Sequence, residues 1–371
     1  MRWYWGMRIA YGVHGYGRGH ATRALALLPE LGRRHEVRVF AGGDAFESLH
    51  RAYGAVQIPN LGYVYQRGRL SLARTLWNNL PLLADVVRAG RHTQAIMRSL
   101  RDFNPQVLLC DCEPLTARAA GLLGIPRVSL DHFGILARCR VDLGSLDSIK
   151  SLLDRTLYLA MFGRARHALI SSFYDAPPRS KRVVVIGTLL RDEVRAVRPS
   201  DGGHLLVYFN RGAEQLTRGI AKVLGSSGRE IRIYGSGRVG RVGNMWFRPT
   251  SDRGFLEDLA GARAVVGTAG NQLVGEALYF GKPLLVMPER SVEQRMNAAA
   301  IVRLGVGEAL AARGFTEQSL AAFLDRVDQY VEKIARNVND GREQALRTLE
   351  TWFAGIMAEK AEIRMLDEVP A

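Results

Sequence analysis

The feature that most constrains the fold of this chain is an alternation of short apolar runs with helical segments, which occurs in two separate series. In the first, "MRIAYGV", "HEVRVFAG", "PQVLLCD" and "PRVSLDH" each predict a strand, and helical patterns follow the first three. The second series begins at "HLLVYFN" (204–210) and continues through "EIRIYGS", "NMWFRPT", "RAVVGTAG" and "KPLLVMPE". Such alternation is typical of parallel sheets covered by helices on both faces. We therefore predict an α/β fold of two tandem Rossmann-like, doubly wound parallel-sheet domains.

The domain boundaries follow from length and from turn-forming residues. A chain of 371 residues exceeds the usual domain size of roughly 100–200 residues. Pro, Ser, Asp and Gly cluster after the strand "RVVVIG", so we place an interdomain linker at 189–203. This predicts a first domain at 1–188, a second at 204–345 and a helical tail at 346–371. The tail carries no new strand; we expect it to pack on the outside, where it can also cross back to the first domain.

The sequence argues against a membrane-spanning protein and against a secreted, disulfide-bonded one. No uninterrupted apolar run approaches the ~20 residues that a membrane-spanning helix needs, and "MRWYWGMRIAYG" lacks the length and cleavage site of a signal peptide. The three cysteines, Cys110, Cys112 and Cys139, form neither an even disulfide framework nor a paired zinc pattern. We therefore expect a cytoplasmic protein with reduced thiols.

The net charge of +15 is concentrated in the first half of the chain. Residues 1–187 hold 26 Lys and Arg against 13 Asp and Glu, whereas the rest holds 25 against 23. A positive field of this kind attracts anionic lipid headgroups, nucleic acid and phosphorylated substrates alike. Residues 66–100 combine six arginines with Trp77 and aliphatic side chains. This segment is either a peripheral contact with an anionic membrane or an ordinary surface helix, and the sequence leaves both open.

The loop after the first strand, in "YGVHGYGRGHATRALALLPEL" (11–31), surrounds His14 and His20 with glycines. The dinucleotide fingerprint needs G-x-G-x-x-G and an acidic residue after the second strand, but here the spacing is G-x-G-x-G and that strand ends in "RVFAGG". No Gly-Lys-Ser/Thr follows, which excludes a P-loop. We therefore interpret the loop as space for a bulky partner. His20 opens the helix, whose positive end disfavours the imidazolium and keeps a base available.

The second series contains a different arrangement within residues 264–300. One strand ends in small residues before a helix that carries Glu276, and the next strand ends at Pro288, shortly before Glu293 and Gln294. A helix N-terminus binds a pyrophosphate well, and polar side chains at adjacent strand ends supply hydrogen bonds. These parts suit a sugar nucleotide.

With these motifs the chain resembles the two-domain glycosyltransferases of the GT-B fold, which have a cleft between their domains. It is most similar to the family 28 branch, which contains the N-acetylglucosaminyl transferase of lipid II synthesis, and to the family 1 UDP-glycosyltransferases. The donor signature of these enzymes is matched here by Gly270, Asn271, Gln272, Glu276-Ala277-Leu278, Gly281-Lys282-Pro283, Pro288, Glu293-Gln294 and Asn297-Ala298. The order and spacing of these matches make the resemblance specific.

The resemblance implies the following donor contacts. Glu276 binds the ribose hydroxyls; Thr268, Gly270, Asn271 and Gln272 lie against the pyrophosphate; Glu293 and Gln294 meet the transferred sugar; Phe247 and Arg248 belong to the base pocket. Family 1 enzymes often have a histidine where this chain has Thr268. We therefore expect the diphosphate to rely more on backbone amides and on Arg211.

The first domain resembles the acceptor side of the same family. There a Gly-His pair opens the first helix and the histidine deprotonates the acceptor hydroxyl, which "GRGHATRA" matches with His20. "LLCDCEPLTARAAGLLGIPRVSL" resembles the segment whose aspartate orients that histidine, so Asp111 is its expected partner. His14, Gly17, Arg18, Gly19 and Glu113 are the other expected acceptor-side residues.

The "DCE" at 111–113 also resembles the acidic metal motif of the other large glycosyltransferase fold. Two doubly wound units argue against a metal, because helix dipoles and arginines can stabilise the leaving group instead. Glu113 then either touches the acceptor or serves as an alternative base.

The resemblance thus implies an inverting, metal-independent glycosyltransferase that uses a UDP- or dTDP-sugar as co-substrate and no other cofactor. Its acceptor is a small natural product or a lipid-linked molecule at the inner face of the membrane. One alternative is a nucleic-acid-binding or nucleic-acid-modifying protein, supported by a pI near 10.2. The others are a sugar-nucleotide 2-epimerase of the same fold and a non-catalytic sugar-nucleotide-binding subunit.

Overall fold

The computed structural model describes residues 6–62, 64–66, 69–141, 145–163, 165–209, 212–249, 252–335 and 339–367. The strands are β1 (Arg8–Val13), β2 (Glu36–Ala41), β3 (Val56–Gln57), β4 (Tyr65–Gln66), β5 (Arg69–Leu70), β6 (Val107–Asp111), β7 (Arg127–Asp131), β8 (His167–Ser171), β9 (Val183–Ile186), β10 (Leu205–Tyr208), β11 (Ile231–Tyr234), β12 (Gly240–Val242), β13 (Met245–Phe247), β14 (Ala264–Gly267), β15 (Leu284–Val286) and β16 (Gly307–Ala309).

Helices connect most of these strands. They are α1 (Arg18–Arg34), α2 (Gly43–Tyr53), α3 (Leu72–Arg88), α4 (Arg91–Phe103), α5 (Pro114–Leu122), α6 (Ile135–Arg138), α7 (Ser145–Phe162), α8 (Asp192–Ala196), α9 (Gly212–Gln215), α10 (Arg218–Ser226), α11 (Asp252–Ala260), α12 (Asn271–Tyr279), α13 (Val292–Leu304), α14 (Glu317–Leu324), α15 (Val327–Ile334) and α16 (Arg342–Asp367). A short 3₁₀ helix spans Ala312–Gly314.

The first sheet has the strand order β3-β2-β1-β6-β7-β8-β9, and all of its strands are parallel. β1 lies between β2 and β6, so Val13 is paired with both Ala41 and Asp111. After β1 the chain forms β2 and β3 on one side of the sheet. It then returns to the middle as β6 and forms β7, β8 and β9 on the other side. The carboxyl ends of β1 and β6 are therefore the switch point, where open α/β sheets bind ligands.

Both faces of the first sheet are buried, which explains its unbroken apolar strands. α1 and α16 cover one face with a core that includes Leu27 and Phe353, while α4 and α5 cover the other. α5 approaches β1 so closely that a Cβ on Gly12 would lie 2.1 Å from the Thr116 Oγ1. Glycine at this position lets the helix that follows Asp111 pack directly on the strand that precedes the glycine loop.

The second sheet has the strand order β12-β13-β11-β10-β14-β15-β16, in which the β12–β13 pair is antiparallel and the others are parallel. Its switch point lies between β10 and β14, where Tyr208 is paired with Gly267. Apolar side chains from Leu205 to Val327 form the core of this sheet. The predicted architecture of two doubly wound parallel-sheet units is confirmed.

The two compact units divide the chain differently from the boundaries drawn on the sequence. The first takes the described residues up to Val64, those from Leu72 to Leu189 and those from Gly341 onward; the second takes Tyr65–Ser71 and Leu190–Asp340. Residues 341–345, placed with the second domain by sequence, lie in the first unit. The physical reason is that the Gly341 N–H donates to the Thr188 carbonyl at 3.0 Å and α16 then packs on α1. The tail thus belongs to the first unit.

In the described part of the chain, none of the helices combines the length and the apolar character that crossing a membrane requires. All three cysteines are buried and reduced. Burial raises the pKa of the Cys112 thiol well above its usual range, so this group stays protonated and unreactive.

Candidate active site

The carboxyl edge of the first sheet brings together the histidine and the aspartate predicted as a pair. His20 lies in the first turn of α1, and Asp111 is the last residue of β6. The His20 Nδ1 lies 2.7 Å from the Asp111 Oδ1, although 91 positions separate the two residues. The Asp111 side chain is 0% exposed, whereas that of His20 is 20% exposed. The imidazole is therefore held from the protein side while part of the ring faces solvent.

A third residue, Arg23, completes this cluster, and sequence reasoning missed it. Its Nε donates to the Asp111 Oδ2 at 2.9 Å and its Nη2 donates to the Asp111 Oδ1 at 2.8 Å. The same Nη2 lies 2.7 Å from the His20 Nδ1. The available signal was an arginine inside the apolar run "ATRALALLPEL", three residues after His20 and hence on the same helix face.

The charge of Asp111 is fixed by these neighbours. Burial by itself raises the pKa of a carboxyl group, but the Arg23 guanidinium and His20 outweigh it and lower the pKa of Asp111 to about 2. The aspartate is thus ionised at neutral pH and accepts hydrogen bonds on both oxygens. An ionised carboxylate on Nδ1 favours the tautomer in which the His20 Nε2 carries the lone pair.

His14 packs against His20 and belongs to the same edge. The two rings form a T-shaped contact with their centroids 5.1 Å apart. In addition, the backbone N–H of His14 donates to the backbone carbonyl of Asp111 at 3.0 Å. Burial and the neighbouring His20 lower the pKa of His14 to about 3, so its ring is neutral. In the structure His14 supports the His20 ring; a contact with the acceptor stays a prediction.

The glycines of the loop before α1, which include the expected acceptor-side Gly17 and Gly19, have separate structural roles. Gly17 has a φ of 74° and precedes α1, and its N–H donates to the Asp44 Oδ2 at 3.0 Å. A Cβ on Gly15 would lie 2.1 Å from the Gly42 carbonyl oxygen, so this glycine permits close packing of two loops. Arg18 and Gly19 form the first turn of α1 beside His20 and are partly exposed.

Glu113 does not occupy the position expected of an acceptor contact or an alternative base. Its carboxylate caps α5 by accepting from the Leu115 and Thr116 N–H groups at 3.1 and 2.6 Å, and the residue is 3% exposed. Cys112, with a φ of 50°, turns the chain between Asp111 and Glu113, so the two carboxylates face different partners. Within the described residues, no group of three or more His, Cys, Asp and Glu is arranged to hold a metal ion.

The predicted donor residues of the second unit collect at the carboxyl ends of β14 and β15. Gly270 precedes the first turn of α12, whose N–H groups face this edge of the sheet. Thr268, Asn271, Gln272 and Glu276 are all buried there. The Gln272 Nε2 donates to the Glu276 Oε1 at 3.0 Å, which fixes the carboxylate expected to bind a ribose.

Gln294 connects two loops at this edge. Its Oε1 accepts from the Ala269 N–H at 3.3 Å and from the Glu289 N–H at 2.9 Å, so this oxygen is engaged with the protein. The Asn297 Nδ2 donates to the Ala269 carbonyl at 2.8 Å. The adjacent Glu293 is partly exposed in the first turn of α13. The matched Glu-Gln and Asn-Ala motifs therefore hold the loop that precedes α12.

The predicted base pocket needs a correction. Phe247 is 5% exposed within the apolar core, and the Arg238 guanidinium lies 4.7 Å from its ring centroid, so the ring is not open to stack on a base. The Arg248 Nε lies 3.3 Å from the Asp258 Oδ2. Arg238 lies on the glycine turn "GSGRVG" after β11. Arg211 lies outside the described residues.

Solved structures with this fold are glycosyltransferases of the GT-B type. The spinosyn forosaminyltransferase SpnP superposes with a TM-score of 0.63 and 15% sequence identity, over 94% of this chain and 100% of that chain. At this identity the likeness establishes the fold.

The model of the family described as glycosyl transferase family 1 matches residues 7–328, so the chain belongs to this family and is a glycosyltransferase. An uncharacterized glycosyltransferase of Methanosarcina acetivorans is 24% identical over 82% of this chain and 86% of its own length. The UDP-N-acetylglucosamine--N-acetylmuramyl-(pentapeptide) pyrophosphoryl-undecaprenol N-acetylglucosamine transferase of Bacillus cytotoxicus is also 24% identical, over 86% of this chain and 90% of its own.

Proposed function

We propose that this glycosyltransferase moves a sugar from a UDP- or dTDP-sugar to an acceptor hydroxyl with inversion, without a metal or another cofactor. The observation that carries the proposal is the 2.7 Å contact between the His20 Nδ1 and the Asp111 Oδ1. In the tautomer with the proton on Nδ1, which the Asp111 carboxylate favours, Nε2 is the basic atom of a partly exposed imidazole. The name of the Bacillus cytotoxicus relative, which specifies a UDP-sugar, supports the donor class.

In the proposed reaction, the His20 Nε2 takes the proton of the acceptor hydroxyl as its oxygen attacks the anomeric carbon. The bond from this carbon to the diphosphate oxygen breaks, and the oxygen leaves with the electron pair. A single displacement inverts the anomeric centre. Asp111 stabilises the imidazolium that forms, as a carboxylate does in other histidine dyads.

The second unit supplies the parts that hold the donor. The N-terminus of α12 presents backbone N–H groups and a positive dipole end, which stabilise the developing charge of the leaving diphosphate. Glu276 is buried and fixed by Gln272, so it is ready to accept hydrogen bonds from ribose hydroxyls. Thr268, Asn271 and Glu293 remain proposed donor contacts at the same edge.

The decisive variant for the chemistry is His20→Ala. We expect turnover to fall by roughly 10²–10⁴-fold, the usual range for a general base, while binding of UDP or dTDP, measured by calorimetry, is unchanged. An Arg33→Gln variant, on the exposed end of the same helix, is the matched control and should keep full activity. Normal turnover in His20→Ala would refute the proposed base. Donor consumption without any acceptor would instead indicate the 2-epimerase.

For the acceptor side we propose a peripheral contact with an anionic membrane on the cytoplasmic side. α3 exposes Leu76, Trp77, Leu80 and Val87, with Trp77 75% exposed, and α7 exposes Ile149, Leu152, Leu153 and Leu157. The four α7 residues follow the spacing i, i+3, i+4, i+8 and form one stripe. Both helices contact α5, so the two stripes belong to one side of the first sheet.

Charge supports an anionic membrane as the occupant of this two-helix surface of α3 and α7. Arg74 and Arg88 are exposed on α3 and Lys150 on α7, in a half of the chain that holds twice as many basic as acidic residues. Apolar side chains flanked by cations are typical of helices that lie in an anionic lipid interface. The pyrophosphoryl-undecaprenol in the name of the Bacillus cytotoxicus relative supports a lipid-linked acceptor.

Sedimentation with phosphatidylglycerol vesicles at low salt tests this surface. We expect the wild-type chain to bind and a Leu152→Ser/Leu153→Ser variant to lose most of its binding, whereas Val302→Ser, at an exposed valine of the second unit, binds normally. No binding by the wild type would refute the membrane contact. Self-association of the wild type that the double variant abolishes would assign the surface to a second copy of the chain.

A further inference from the structure

The buried cluster around His20 is electrically balanced. Asp111 carries one negative charge and Arg23 one positive charge, and both side chains are removed from solvent. With a neutral His20 the three groups sum to zero. A proton added to His20 places a second cation next to Arg23, whose Nη2 lies 2.7 Å from the His20 Nδ1. A protonated His20 and Arg23 then share one carboxylate oxygen, the Asp111 Oδ1.

The guanidinium also fixes the direction of the carboxylate. A planar fork engages both oxygens of Asp111, so the carboxylate cannot rotate without breaking a charged hydrogen bond. The oxygen that meets the His20 Nδ1 is Oδ1, which also accepts from the Arg23 Nη2. The orientation of the imidazole therefore depends on the fork.

We propose that Arg23 is a positioning residue for the base: it aligns the Asp111 carboxylate on the His20 Nδ1 and neutralises the charge of that carboxylate. This inference rests on the proposed function, because it assigns to Arg23 the control of the proposed base. It goes further in making the unit of acid–base chemistry a triad of His20, Asp111 and Arg23.

The other titratable groups around the cluster do not supply the positive charge that Arg23 places next to Asp111 and His20. His14 faces His20 from the end of β1 and is neutral. Tyr11 on β1 and Cys110 and Cys112 at the end of β6 are buried, and burial raises the pKa of each, so they carry no charge at neutral pH. Asp131, at the end of β7, accepts from the Tyr158 hydroxyl at 2.8 Å and has a raised pKa because of its burial. Among the residues that the structure describes, Arg23 is a cation in direct contact with both members of the pair.

Two substitutions separate the charge of Arg23 from its geometry. Arg23→Gln removes the charge and leaves a net negative pair, which takes up a proton at higher pH. Arg23→Lys keeps the charge but loses the planar fork. In the full chain labelled at histidine, we expect the NMR titration midpoint of His20 to rise by about 1–3 pH units in Arg23→Gln. In Arg23→Lys the midpoint should stay near that of the wild type.

Turnover adds a second readout, with hydrolysis of UDP-N-acetylglucosamine and of dTDP-glucose as probes. Arg23→Lys should lower kcat by roughly 10- to 100-fold through the misplaced base, with KM for the donor unchanged. The acid limb of the Arg23→Gln profile should move to higher pH together with the titration midpoint. Arg33→Gln, which removes one exposed positive charge from the same helix, should match the wild type in both measurements.

The outcomes distinguish this inference from the proposed function. An unmoved or lowered His20 midpoint in Arg23→Gln would overturn the role of Arg23 and leave His20 as the base. If Arg23→Gln does not fold, Arg23→Lys decides: full turnover or a displaced midpoint in that variant would overturn the inference. Normal turnover in His20→Ala would refute the proposed function, while the two titrations would still measure the charge balance of the cluster.

Discussion

The two sheet edges of this molecule are built on similar doubly wound topologies but hold different chemistry. At the first, His20, Asp111 and Arg23 contact one another directly, and two of them are charged and buried. At the second, the helix α12 begins at the sheet edge, and the Gln272 Nε2 in its first turn donates to the buried carboxylate of Glu276. The first arrangement is suited to moving a proton, and the second to binding an anion and a sugar.

The difference between these edges shows how a doubly wound unit acquires a function. In both units the parallel strands direct their carboxyl ends, and the loops that follow, to one edge. The units differ in which elements carry the ionisable side chains of the edge. In the first unit these are β6 and α1, and in the second unit it is α12, about one turn after its start. The backbone supplies the location, and a few side chains decide between proton transfer and ligand binding.

We expect the largest effect from Asp111→Asn, which tests whether the first sheet edge is the one that transfers a proton. The asparagine cannot stabilise an imidazolium and leaves Arg23 buried without its anion, so turnover should fall by roughly 10³–10⁴-fold. The free energy of unfolding of the first unit should fall by about 3–5 kcal/mol, because a buried charge loses its partner. Urea unfolding and steady-state kinetics measure the two effects. An active, equally stable variant would show that the contacts at this edge are not functional.

Glu276→Gln tests the second edge separately. The substitution keeps the shape of the side chain but removes the charged acceptor of the expected ribose hydrogen bonds, each worth about 1.5–3 kcal/mol. The Kd for UDP or dTDP should rise by roughly 10- to 100-fold, with the titration of His20 unchanged. Glu317→Gln, on the exposed start of α14, is the matched control. Unchanged nucleotide affinity would remove Glu276 from the donor site.

The sequence predicted the fold because its determinants are local. Strand and helix patterns repeat along the chain, and the switch points follow from their order. The contact between His20 and Asp111 was also predictable, through the resemblance to a known family. Arg23 was not, because whether an arginine in an apolar helix extends to solvent or pairs inward depends on the strand that packs beneath it.

Phe247 and Glu113 are residues for which a matched motif predicted a role that the direction of the side chain does not support. Each stands at a position where a family role was expected, yet Phe247 is enclosed by the core and covered by Arg238. Glu113 is engaged by two N–H groups of its own helix. A motif gives the position along the chain, but the direction of the side chain depends on the backbone. At Glu113 that direction follows from the left-handed turn at Cys112.

The two edges should also respond differently to acid. The pKa of Asp111 is lowered in the folded chain, so its contribution to stability is complete above its unfolded pKa of about 3.9 and is lost as the pH falls toward 2. We expect roughly 2 kcal/mol of the unfolding free energy of the first unit to disappear between pH 5 and pH 2. Urea unfolding at several pH values measures it. Asp111→Asn should abolish this contribution, and an identical pH dependence in that variant would contradict the assignment.

The smallest effect we predict concerns the loop supports of the second edge. Gln294→Leu removes the acceptor of the Ala269 and Glu289 N–H groups while keeping a similar volume. Each lost hydrogen bond costs about 0.5–1.5 kcal/mol, so the loop before α12 should become less ordered and the Kd for UDP or dTDP should rise by about three- to tenfold. Gln318→Leu, at an exposed glutamine of α14, should leave the Kd unchanged. Because Gln294 acts through the backbone, the loss should be equal for the free nucleotide and for its sugar conjugate. A loss confined to the conjugate would show instead that Gln294 binds the transferred sugar directly.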